Sequence, residues 1–96
     1  MIQLDLKRLT IFQQKLYPCI VKTIQELNEE NIEATYSRIE ERVEQNLMSI
    51  HGVDIQLGLI NLTNNRILNI NDGIYSINPR NQKEIDILLL QGDEQN

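Results

Sequence analysis

The sequence predicts a small α+β domain of three or four helices closed by a C-terminal β-hairpin. Three observations carry this expectation. Two short apolar runs, Ile67-Leu68-Ile70 and Ile74-Tyr75-Ile77, flank Asn71-Asp72-Gly73. Asp-Gly between β-type runs is the strongest local hairpin signal, because Gly takes the positive φ of a tight turn. Upstream of it, apolar residues recur at spacings of three and four, the period of an amphipathic helix. Finally, 96 residues with 41% hydrophobic and 24% charged side chains suit one ordinary globular domain.

Leu6, Leu9, Phe12 and Leu16 form the first helical stripe, and Ile20, Ile24 and Leu27 continue it. Pro18 interrupts the stripe and disfavours a helical Tyr17, so two helices are expected, at about 5–16 and 18–29. The run Asn28-Glu29-Glu30-Asn31 ends the second. Ile32-Glu33-Ala34 reads as a short strand or extended linker. Tyr36, Ile39, Val43 and Leu47 mark the next helix, with Thr35 as N-cap, or Ser37 and Glu40 as an alternative capping box. Its charges read as a solvated face, on which Arg38 can meet Glu41.

Val53 to Asn65 is the hardest segment. Val53, Ile55, Leu57 and Leu59 alternate as in a strand, but the alternation fails at Ile60. On a helical wheel Asp54, Gly58, Asn61 and Asn65 share one narrow face, so a mostly buried helix with that polar face outward is expected. After the hairpin, Asn78-Pro79-Arg80-Asn81 forms a turn. Ile85 to Leu90 then forms a closing helix or an extra strand, and residues 92–96 are expected to fray. The chain is thus one domain over 1–96, with residues 1–16 a helical extension and 79–96 a C-terminal one.

The net charge of −5 disfavours non-specific binding to phosphate backbones, and neither half of the chain is basic. A single cysteine, Cys19, rules out an intrachain disulfide and fits an intracellular setting, the cytoplasm or the nucleus or nucleoid. The chain begins with no signal-peptide pattern, and no apolar run approaches the roughly 20 residues of a membrane span, so no membrane association is expected.

The order helix, extended piece, helix, apolar helix, hairpin resembles a winged helix. Leu59-Ile60-Asn61-Leu62-Thr63-Asn64-Asn65-Arg66 and the hairpin to Ile77 look like the third helix and wing of such domains. The pattern is similar to the C-terminal winged helices of cullin-like ubiquitin-ligase scaffolds and to that of the replication protein A middle subunit. Leu16 to Val21 would then lie in the first helix. The resemblance covers about residues 16–78 and implies a domain used largely for protein contacts. The modified lysine of cullins has no counterpart, since Val53 to Asn65 contains no lysine.

No residue pattern points to catalysis, a metal or a cofactor. His51 is the only histidine and Cys19 reads as a structural thiol. The aspartates lack calcium-loop spacing, and the four glycines are too dispersed to cradle phosphate. Glu40, Glu41 and Glu44 on a small helix surface have no pocket to separate their pKa values.

A non-enzymatic interaction module, an adaptor in a multi-protein assembly, is therefore expected, with a protein partner and a homodimer both compatible. The candidate interaction face is Asp54, Asn61, Asn65, Arg66, Asp72 and Tyr75. Leu9, Phe12, Leu16, Ile85, Leu88 and Leu89 are candidate partner or dimer contacts. The alternative is a dimeric, sequence-specific DNA-binding transcriptional regulator. It would use Asn61 and Asn65 on bases and Arg66, Arg80, Lys83, Lys7, Arg8, Lys15 and Lys22 on phosphates, against the repulsion of Asp54 and Asp72.

Overall fold

Thr10 sets where helix α1 (Ile11–Glu29) begins. Its hydroxyl accepts from the Gln13 amide at 3.1 Å, while the Gln13 side-chain oxygen accepts from the Thr10 amide at 3.0 Å. Each group satisfies an amide that the first helical turn leaves without a partner. A computed structural model of the chain describes residues 8–47 and 50–94. Leu6, Lys7 and the start of the expected first helix lie outside them.

The expected break at Pro18 does not occur. Helix α1 runs through it, and Pro18 is buried. An interior proline costs about 3 kcal/mol. Leu16 and Tyr17 before it, and Ile20, Val21, Ile24 and Leu27 after it, are all at most 3% exposed. Each such side chain contributes about 1.5–3 kcal/mol on burial, so one shared core outweighs one lost bond. Residues 11–16 are accordingly the opening turns of α1 and not a separate extension.

Asn31 ends α1 in the left-handed region, at φ 59°. There Ile32 N–H donates to the Leu27 carbonyl at 2.9 Å and Asn31 N–H to that of Asn28 at 3.2 Å, a Schellman closure. The extended piece is a strand, β1 (Ala34–Thr35). Thr35 caps helix α2 (Tyr36–Asn46) as expected, accepting from the Arg38 amide at 3.4 Å. Arg38 donates its guanidinium to the Glu33 carbonyl at 2.9 Å. Arg42 reaches back to Glu30 at 2.7 Å, tying α2 to the end of α1. Glu30 is exposed and Arg42 partly so, and a solvent-screened pair of this kind contributes little to stability.

Val53 to Asn64 is helical, within α3 (Gly52–Asn64). The hairpin also forms where expected, as β2 (Leu68–Asn71) and β3 (Ile74–Ile77). Asp72 and Gly73 have φ of 53° and 78°, the two positive values of a type I′ turn, whose twist matches that of the strands. The three strands form an antiparallel sheet in the order β1-β3-β2, with Ala34 opposite Tyr75 and Ile70 opposite Tyr75 on the other side.

A short 3-10 turn (Pro79–Asn81) leads into α4 (Gln82–Glu94), so the closing segment is a helix and residues 92–94 continue it. It packs on α1, with Ile85 and Leu88 wholly buried. The architecture among the described residues is thus α+β, four α-helices with a small three-stranded antiparallel sheet. No helix there is long and apolar enough to cross a membrane.

Gly73 holds its positive φ in open space, so a side chain there would be strained without any clash. Gly73→Ala is expected to lower stability by about 1–2 kcal/mol in urea denaturation, the cost of a left-handed alanine.

Candidate functional site

Helix α3 is fixed at both ends and along one side, which leaves one face to solvent. At its start, the Asp54 carboxylate accepts from the His51 amide at 3.4 Å. The Tyr36 hydroxyl of α2 lies between two acceptors, the Glu40 carboxylate at 2.8 Å and the Gly52 carbonyl at 3.0 Å. Its one proton serves them in turn, and either way α2 is joined to the first turn of α3.

In its middle, α3 lies against α1 at Gly58. A Cβ at this position would stand 2.8 Å from Ile20 Cδ1 and 3.2 Å from Tyr17 Cε1, so any other residue would force these two buried side chains to shift. One turn on, Asn61 Nδ2 donates to the Tyr17 hydroxyl at 2.8 Å. Ile55, Leu59 and Leu62 complete the buried side, each at most 1% exposed.

At its end, Arg66 adopts φ 61°, unusual for a residue other than glycine. Arg66 N–H donates to the Thr63 carbonyl and Ile67 N–H to that of Leu62, both at 3.0 Å. The Arg66 carbonyl in turn accepts from Asn78 Nδ2 at 2.7 Å and Asn81 Nδ2 at 2.6 Å. These bonds hold the left-handed residue against its intrinsic cost.

This seating corrects the expected outward face. Asp54, Asn61 and Asn65 are half-buried and occupied within the fold, Asn65 donating to the Asn61 carbonyl at 2.7 Å. They share the flank of the helix that carries Gly58, where Asn61 meets Tyr17 of α1. The solvent face instead carries Val53, Leu57 and Ile60, which are 58%, 54% and 46% exposed, with Gln56 and Asn64 beside them. None of these five is charged. Arg66 and Asp72 do present exposed side chains, and Tyr75 is half-buried in β3.

Most of the expected partner contacts are likewise spent inside the domain. Leu9, Leu16, Ile85 and Leu88 are core residues, and Leu89 packs against that core. Phe12 remains 44% exposed, next to the more exposed Ile11. Ile70 in β2 and Leu90 in α4 are the other exposed large apolar residues among the described ones.

Other groups are chemically quiet. Cys19 is half-buried, and burial raises its thiol pKa, with a hydrogen bond to Thr23 working the other way. His51 is exposed at the start of α3. Among the described residues no three His, Cys, Asp or Glu side chains come together as a metal site. An open depression of about 210 Å³ lies between the end of α1 and α2, lined by Leu27, Ile32, Arg38, Glu41, Arg42 and Gln45. It takes no residue from α3, and its Arg42 is engaged by Glu30.

No protein-family model matches the chain, and no curated protein or solved structure does either.

Burial, together with the hydrogen bond to Glu40, pushes the Tyr36 phenol up to about 12 from its ordinary 10.0. Burial also raises Tyr75. The folded state thus binds the phenolic proton more tightly than the unfolded chain. The stability this provides is complete below pH 10 and is lost as the pH rises towards about 12. The urea midpoint is expected to fall across that window. Tyr36→Phe should flatten the fall and leave the part to which Tyr75 and Cys19, both raised by burial, contribute.

Proposed function

We propose that this chain is a winged-helix interaction module, non-enzymatic, that docks protein partners through the outer face of α3 within an intracellular multi-protein assembly. The observation that carries the reading is the uncharged apolar stripe Val53-Leu57-Ile60, left in solvent by a helix secured on its other sides. Apolar residues repeating along an exposed helix face are the usual mark of a binding surface. The element order is compatible with a winged helix, in which a third helix is followed directly by the hairpin.

The charge distribution supports proteins over nucleic acid. Helix α3 carries no Lys or Arg to meet phosphates or base edges, and the hairpin tip carries Asp72. A net charge of −5 adds repulsion at long range.

Two measurements test the proposal. Immobilised wild-type chain is expected to retain discrete proteins that Leu57→Asp loses and Lys83→Ala keeps. In an anisotropy titration against mixed duplex DNA at low salt, no binding is expected. Salt-sensitive DNA binding that weakens in Arg66→Ala or Arg80→Ala would overturn the reading.

A further inference from the structure

Independently of the docking reading, we infer that the hairpin tip is a site of covalent self-modification, where Asp72 converts to isoaspartate through a cyclic imide formed with the Gly73 amide. Asn71, Asp72 and Gly73 are all exposed. Among the described residues, the Asp72 carboxylate has no hydrogen-bond or ion-pair partner and the Gly73 N–H donates to no acceptor. A two-residue I′ turn leaves that amide out of the ladder, because its cross-strand bonds come from the flanking pair, here Asn71 and Ile74. A Cβ built at Gly73 meets no atom within 4 Å, so the tip stands clear of the rest of the domain.

Asp54 and Asp86 lack this combination. Asp54 accepts from the His51 amide at 3.4 Å, and the Ile55 amide that follows it donates to the His51 carbonyl at 3.3 Å. Asp86 accepts from Gln82 Nε2 at 2.9 Å within α4. Each of the two is followed by isoleucine, whose branched side chain shields the amide nitrogen, whereas Gly73 has no side chain to do so.

The reaction needs only the chain and water. The Gly73 nitrogen attacks Cγ of the Asp72 carboxylic acid. An N–Cγ bond forms, the Cγ–OH bond breaks, and the hydroxyl leaves as water with the amide proton. Water then adds across either imide C–N bond. Opening at Cγ restores aspartate. Opening at the α-carbonyl gives isoaspartate, with the main chain running through Cβ and Cγ and the free carboxylate on Cα. Ring closure requires the Gly73 nitrogen and the Asp72 Cβ on the same side of the Cα–C bond, which the I′ turn does not give. The folded hairpin therefore slows the step, and local opening of the tip admits it. The product has a longer main chain, so it cannot close a two-residue I′ turn, and the pairing of Asn71 with Ile74 is lost.

Peptide mapping of the full chain after prolonged incubation at neutral pH tests this, with methyl transfer by a protein isoaspartyl methyltransferase as a second readout. Isoaspartate is expected at residue 72 and not at Asp54 or Asp86. Guanidinium sufficient to unfold the chain should raise its rate of formation severalfold, because the turn no longer restrains Asp72. Asp72→Glu, which would have to close a larger ring, should lose it. The isoaspartate form, separated by chromatography, should unfold at lower urea than the unmodified chain. A folded chain that gathers no isoaspartate at residue 72, or gathers as much at Asp54 and Asp86, overturns the proposal. An isoaspartate form with an unchanged urea midpoint overturns the loss of the turn.

Discussion

The close contact of Gly58 with Tyr17 and Ile20 is the constraint on which the rest of the arrangement depends. It sets how near α3 comes to α1, and which side of α3 does so. Once that side is committed, the Asn61 to Tyr17 hydrogen bond follows on the same flank. Ile55, Leu59 and Leu62 enter the core, and Val53, Leu57 and Ile60 are turned away from it. The apolar face in solvent is thus a consequence of packing on the opposite side. A glycine costs about 1 kcal/mol of helix propensity relative to alanine, and here that cost sets the orientation of the helix. Tyr17, in the same contact, adjoins Leu16 and Pro18 on α1, whose helix continues through the proline because both sides of it are needed in one core.

Parts of this fold were legible in the sequence because local chemistry decides them. Asp72-Gly73 specifies its own turn, and Thr35 its own cap, whatever the rest of the chain does. The helix at Val53 to Asn64 was legible once the strand-like alternation of Val53, Ile55, Leu57 and Leu59 failed at Ile60. Two features were not legible, for the same physical reason. Pro18 reads as a breaker until the burial on either side of it is known. The orientation of α3 is ambiguous because two stripes, Asp54-Gly58-Asn61-Asn65 and Val53-Leu57-Ile60-Asn64, have the same spacing and lie one residue apart. Hydrophobicity alone places the polar stripe outward. Gly58 was the signal to the contrary, since a glycine within a helix marks a place where another chain segment comes close.

The candidate site inherits its rigidity from polar groups that the sequence reading had assigned to partners. Asp54 holds the first turn of α3, and Asn65 donates back into its last. Arg66 presents its charge to solvent while its backbone, in a costly left-handed conformation, is held by Asn78 and Asn81. These residues make the outer face of α3 a preorganised surface, which lowers the ordering cost of any association. The domain keeps its larger apolar reserve, Leu9, Leu16, Ile85 and Leu88, for its own core.

In this arrangement Gly58 faces the core and Leu57 faces water. Paired urea denaturation of Gly58→Leu and Leu57→Gln tests it directly. Leucine is the better helix former, so any loss in Gly58→Leu comes from packing. Gly58→Leu is expected to cost more than about 2 kcal/mol through overpacking against Tyr17 and Ile20, and Leu57→Gln less than about 1 kcal/mol. A stabilised Gly58→Leu alongside a Leu57→Gln that loses several kcal/mol would contradict it, because α3 would then present its other face to the core.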